Sequence, residues 1–379
     1  MKLAVSAEDS LFRQNRVLDE SWAKNYPGAS WLPLVKKYLG SAFEVVTADV
    51  ALDHVVHGFW NAQDILVIQH GQDVIAKKLI HEGALPLALT CFESPLYIGG
   101  FYHNISNLAP IFKNRILFSG LYERFSTEFG VNHQVTFPSY FLNDLSMKEI
   151  PWEQRNFMVA VIGNKYNVPS CCPSIHRPLE WFWWLRNKLS QFLHHPFSSD
   201  EFPAKDIQLQ DLRLEAISFF MSKGLLDLYG KGWDALRNLP PRWQNRMSAV
   251  LKSHDAKECN NKLETIKNYK FGLCIENAEF PGYLTEKIFD CLVAKIIPIY
   301  IGAPDIERYI SKSCFLDMRD YKSMDELKSY LQSMPESSAN EMIACGQEFL
   351  QSESGQRYSY EGFAEFIANI VKMESEVKQ

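Results

Sequence analysis

The chain has 379 residues, of which 46% are hydrophobic and 22% charged, and 39 basic against 45 acidic side chains leave a net charge of −6. That length suits two α/β domains better than one core. The composition excludes a disordered chain, and the charge balance excludes a protein built to coat nucleic acid.

Met1–Ala7 reads as a first strand, and its apolar run is too short for a signal peptide. Ile65-Leu66-Val67-Ile68 is an apolar run suited to a buried parallel strand. Helical spacing follows through Val74, Ile75 and Leu79 to Gly83, and Leu87–Phe92 forms the next strand. This βαβ unit delivers Glu93-Ser94-Pro95 at a strand C-terminus, and Ile116–Ser119 adds a further strand. A polar connector near 145–156 precedes the fresh strand Phe157–Ile162, which sets a domain boundary at 152/153.

Downstream, the pattern predicts a long helix near 177–194, a polar loop near 197–206, a helix near 209–222 and a short strand Leu225–Tyr229. An irregular stretch around Pro240-Pro241 follows. Tyr269–Ile275 is a strand ending in Glu276-Asn277, a helix is expected from about Leu284 to Ala294, and Ile296–Ile301 is another strand stopped by Gly302. Ser323 and Glu326 make a capping box. The last element is an amphipathic helix around Tyr360–Met373. No stretch approaches the roughly 18 apolar residues of a membrane span. Eight cysteines without C-x-x-C spacing point to free thiols and a reducing, cytoplasmic setting.

In both halves polar residues gather just beyond strand C-termini, where open α/β sheets bind ligands. Tyr283-Leu284-Thr285-Glu286-Lys287 falls at a helix start, where free amides and the positive dipole end favour an anion. The dipole disfavours a lysine in that turn unless a bound diphosphate sits there. Glu286 could accept from a ribose diol; an ordinary capped helix with solvated Glu and Lys is the competing reading. Glu276 and Asn277 face the crevice or else cap a loop. Gly230-Lys231-Gly232-Trp233-Asp234-Ala235 matches a dinucleotide fingerprint only weakly. Arg177, Arg237, Arg242 and Arg246 either neutralise phosphates or lie on the surface. Glu93 is either a general base with a pKa raised by partial desolvation or a structural cap.

Taken together, Tyr269-Lys270-Phe271, Glu276-Asn277, Tyr283 to Ile288, Ile297 to Pro304 and Phe315-Leu316-Asp317 resemble the signature of α1,3/α1,4-fucosyltransferases, glycosyltransferase family ten, and Glu93-Ser94-Pro95 resembles its acceptor motif. The resemblance implies a GT-B fold, two Rossmann-like domains facing across a cleft. An acceptor domain would occupy 1–152 and a donor domain 153–357, with a C-terminal helix about 358–379 packing back on the first. It implies inverting transfer of L-fucose from GDP-fucose to a GlcNAc-containing oligosaccharide or lipid-linked glycan. No metal would be obligatory, a divalent ion being at most stimulatory. By motif position Glu93 would be the general base, Glu286 would hold the ribose, and Lys287 with Tyr283 would hold the diphosphate. Arg177 or Arg237 would bind phosphate, while Asn277 and Glu276 would line the pocket. The animal members' anchor and some bacterial members' heptad tail have no counterpart here. The expected setting is therefore a bacterial cytoplasmic enzyme, peripheral at most to the inner membrane face.

Overall fold

The computed structural model describes residues 1–7, 9–94, 98, 101–102, 104–117, 133–134, 137–164, 166 and 208–376. The expected helix near 177–194, the loop near 197–206 and Arg177 lie outside the described residues. The chain divides into two compact units, one of Met1–Glu93, Asn104–Asp144 and Gln351–Gln379, the other of Ser94–His103 and Leu145–Leu350.

The first unit alternates β1 (Lys2–Val5), α1 (Trp31–Leu39), β2 (Glu44–Thr47), α2 (Ala48–Val56), β3 (Ile65–His70), α3 (Val74–His81), β4 (Leu85–Thr90), β5 (Asn114–Leu117) and β6 (His133–Gln134). The strands form one parallel sheet in the order β2-β1-β3-β4-β5-β6. Residues Ile65 to Ile68 of β3 are all buried, as a strand covered on both faces requires. Strand β4 starts two residues earlier than its apolar run suggests. The register slips at Val67/Ile68, opposite Pro86 and Leu87, and that irregularity accommodates a proline lacking an N–H. The C-terminal helix Tyr360–Glu376 belongs to this unit and packs along α1, with Trp31 edge-on to Phe363 at 5.0 Å. Tyr140 ties the approach to that helix by donating its hydroxyl to Gly355 O at 2.9 Å.

The second unit contains β7 (Asn156–Val161), α4 (Gln210–Ser222), β8 (Leu226–Tyr229), α5 (Pro241–Leu251), α6 (Lys262–Ile266), β9 (Tyr269–Ile275), α7 (Glu286–Val293), β10 (Ile297–Ile301), β11 (Leu316–Asp317), α8 (Met324–Ser333) and α9 (Glu336–Gln351). Its sheet is parallel in the order β11-β10-β9-β7-β8. The stretch around Pro240-Pro241, expected to be irregular, contains a helix: Pro241 occupies the first turn of α5, where its missing N–H costs nothing. The capping hydroxyl of Ser323 accepts from Glu326 N, while Glu326 Oε2 accepts from Lys322 N, one residue before the cap. Among the described residues no helix is long and apolar enough to cross a membrane.

In this second sheet the chain moves from β7 to β8 on one side and returns to β9 on the other. The crevice outside the strand C-termini at such a reversal is where open α/β sheets take ligands. Strand β9 ends there, and Glu276 and Asn277 follow it directly.

Candidate functional site

The site is built around a carboxylate with no exposure. Glu276 follows the buried run of β9 and is 0% exposed. Its Oε1 accepts from Thr285 N and Thr285 Oγ1, both at 2.9 Å, and its Oε2 lies 2.8 Å from both Thr285 Oγ1 and Lys287 Nζ. Gly302 makes room for this side chain, since a Cβ there would come within 2.5 Å of Glu276 Cγ and of the Tyr300 hydroxyl. Glu276, expected on the crevice wall, thus sits behind it. There it fixes the start of α7 and would not itself touch a ligand.

Thr285 is the N-cap of α7, but its hydroxyl is turned to Glu276 and makes no cap bond, leaving the first-turn amides without that partner. Lys287 Nζ bonds Glu276 and, at 2.8 Å, Thr285 Oγ1, which occupies two of its three N–H directions. Burial favours neutral Lys287, but the Glu276 and Glu286 carboxylates outweigh it and raise its pKa, so it stays charged. Lys287 Nζ also stands 3.9 Å from Glu286 Oε1. Burial pushes the Glu286 carboxyl up, but Lys287 and Lys262 dominate together and bring it down to about 2. The arrangement is a fixed ammonium and an ionised carboxylate at a helix N-terminus, suited to a phosphate oxygen and a hydroxyl pair respectively.

Asn277 is held from two sides. Arg213 of α4 donates from Nη2 to Asn277 Oδ1 and to Ile275 O, each at 2.8 Å, and Asn277 Nδ2 lies 3.4 Å from the Tyr283 hydroxyl. Tyr283 is 1% exposed and so stands inside the wall. The loop between β9 and α7 is tied at Gly282, whose N–H donates to Asp305 Oδ1 at 2.7 Å. At the neighbouring strand end Arg319 grips Asp317 with two donors and stands 3.5 Å from Glu279.

The other expected residues belong to other elements. Arg237 is exposed, in a short 3-10 turn after β8. Arg242 pairs with Asp211 at 2.7 Å and lies over the Trp243 ring, beside Arg246. The glycines of the 230–235 segment serve the fold. Gly230 has φ +132°, and a Cβ there would fall 2.3 Å from Ile162 O. In the first unit Glu93 follows β4 and is exposed. Its neighbour Phe92 is buried against Trp31, His70 and Phe363, which anchors the strand end.

Sequence reasoning missed Arg213, although an arginine on the buried stripe of α4, between Leu209 and Ile217, is the available signal. It also missed Lys262 and Asp290, a charged pair joining α6 to α7.

Residues 221–342 match the model of "Glycosyltransferase family 10 (fucosyltransferase) C-term". An α-(1,3)-fucosyltransferase of Helicobacter pylori, FucT, is 32% identical over 114 residues, 30% of this chain and 23% of that protein. An α-(1,4)-fucosyltransferase of Arabidopsis thaliana is 30% identical over 125 residues, 30% of each. The matched stretches thus span less than a third of these relatives. Among solved structures, an α1,3-fucosyltransferase aligns with a TM-score of 0.52 at 16% identity, over 98% of this chain and 90% of that one. Anabaena Alr3699/HepE, in complex with UDP and glucose, aligns at 0.57 and 10% identity over 98% and 100%. The fold is GT-B, each unit an α/β layer structure around a parallel sheet. Residues 221–342, which hold Glu276, Asn277, Tyr283, Glu286 and Lys287, are thus the segment similar to the C-terminal part of glycosyltransferase family 10.

Proposed function

We propose that the protein is an inverting glycosyltransferase that moves L-fucose from GDP-fucose to a hydroxyl of a GlcNAc-containing glycan. The observation that carries this reading is the Glu276–Thr285–Lys287 cluster at the start of α7, inside the segment that matches the fucosyltransferase family. In this reading the third N–H of Lys287 and the first-turn amides of α7 take the β-phosphate, and Glu286 takes the ribose hydroxyls. Departure of GDP builds negative charge on that phosphate, and a cation fixed beforehand stabilises it without reorganising. Glu276 keeps the lysine charged and aimed. Arg213 keeps the Asn277 amide in one orientation, Oδ1 turned to the guanidinium and Nδ2 to Tyr283. Glu93 takes the proton of the acceptor hydroxyl as that oxygen attacks the anomeric carbon. An exposed carboxylate can do this once acceptor binding removes water around it. Arg237 is a further phosphate ligand in this proposal, as is Arg177.

Incubation with GDP-fucose and N-acetyllactosamine-type acceptors tests the reading: GDP release above the acceptor-free rate supports it. Absence of release over a broad acceptor panel contradicts it. A second reading, a GT-B transferase using another nucleotide sugar, draws on the likeness to the UDP-bound Anabaena protein. Thermal shifts with GDP, UDP, ADP and CMP separate the two, because a ligand of the native state alone raises the melting temperature.

A further inference from the structure

Lys262 lies outside the proposed donor contacts. It opens α6, whose N-cap Asn261 accepts from Glu264 N at 3.2 Å, and this short helix packs against α7. Lys262 Nζ pairs with the Asp290 carboxylate and stands 3.9 Å from Glu286 Oε1. Glu286 and Asp290 are four residues apart, hence stacked on one face of α7, and Lys262 bridges them. Lys287 Nζ lies at the same 3.9 Å from the same oxygen, Glu286 Oε1. Two cations, one on α6 and one on α7, therefore stand near one oxygen of a carboxylate whose side chain remains 28% exposed.

A simple strut between α6 and α7 would not need these charges. Asp290 is 11% exposed on a helix that otherwise buries Ile288, Phe289, Cys291, Leu292 and Val293. A well-packed apolar pair in that place is commonly as stable as an ion pair or more so. What the charged pair supplies, and an apolar one cannot, is a cation fixed beside Glu286.

We infer that Lys262, anchored by Asp290, is a positioning residue that holds the Glu286 carboxylate ready for the ribose hydroxyls of the nucleotide. The inference rests on the proposed role of Glu286. Without Lys262, the carboxylate is free to turn to Lys287, its remaining cation, and away from the sugar.

The experiment is isothermal titration of GDP and of 2′,3′-dideoxy-GDP into the wild-type protein and Lys262→Met. Wild type binds GDP more tightly than the dideoxy nucleotide. Lys262→Met weakens GDP by roughly 5- to 10-fold, leaves the dideoxy nucleotide unchanged, and Lys262→Arg recovers most of the loss. A Lys262→Met protein that still discriminates as wild type does, or that weakens both nucleotides equally, overturns the inference while leaving the Glu286 reading intact. A wild type that does not discriminate overturns both. Should Lys262→Met fail to fold, Asp290→Asn, which frees the lysine, is expected to lower the discrimination in the same way, and unchanged discrimination there refutes the inference.

Discussion

Replacing Glu276 by glutamine removes one charge from a site with no exposure and tests how the start of α7 is held. The carboxylate lies 2.8 Å from Lys287 Nζ. At an effective dielectric constant of about 20 the pair attracts by about 6 kcal/mol before desolvation is counted. Removing one partner of a buried pair typically costs about 3–5 kcal/mol, because the other charge is left uncompensated. Glutamine also turns an NH₂ group towards Thr285 N or Lys287 Nζ, both of which are donors. Since Lys287 retains 16% exposure, the lower end of the range, about 3 kcal/mol, is expected. For a unit of this size that lowers the melting temperature by about 6–12 °C. Lys287→Met is expected to cost about as much, because it strands the carboxylate. The double variant should recover at least ~1.5 kcal/mol relative to the sum of the two, the mark of direct coupling. Calorimetry of the four proteins at pH 7 measures this. A single-variant loss under about 1 kcal/mol, or additive losses, would refute the argument.

Gly302→Ala drives a Cβ into Glu276 Cγ and should cost about 1–3 kcal/mol, read by urea unfolding; an unchanged midpoint would show that the site yields. Glu93→Gln should lower turnover by roughly 10²–10⁴-fold while GDP affinity is kept, and a smaller loss removes Glu93 as the base. Burial lowers the His70 imidazole to about 4, against the opposing pull of Asp73. Because its folded pKa lies below the unfolded value near 6.5, the stability from this group is full above pH 6.5 and is lost as pH falls towards 4. His70→Gln should therefore flatten the fall in unfolding free energy between pH 6.5 and 4 by about 3 kcal/mol, and an unaltered slope would contradict this.

The strands were legible because parallel strands covered on both faces are continuous apolar runs: Tyr269–Ile275 was read to the residue, and Ile297–Ile301 within one. Helices with mixed faces were harder. Trp31–Leu39, Ala48–Val56 and Glu336–Gln351 escaped, and the stretch around Pro241, read as irregular, is the start of a helix. The polar block 276–287 was legible by its place after a strand, but its internal wiring was not. A lysine in the first turn of α7 opposes the helix dipole, and the sequence alone suggests a bound anion as its partner. The structure supplies another partner, Glu276, eleven residues earlier and brought beneath the helix by the β9–α7 loop. Long-range pairs such as Arg213 with Asn277 and Lys262 with Asp290 depend on how elements pack, which local spacing does not encode.

The central question is whether the start of α7 and its lysine hold a diphosphate. Titration of GDP into wild type and into the Glu276→Gln/Lys287→Met double variant, which removes the lysine without stranding the carboxylate, tests this directly. At least a ~10-fold loss of GDP affinity is expected in the double variant with its fold retained, as for any lost charge-assisted contact. GDP bound as tightly by the double variant as by wild type would contradict it.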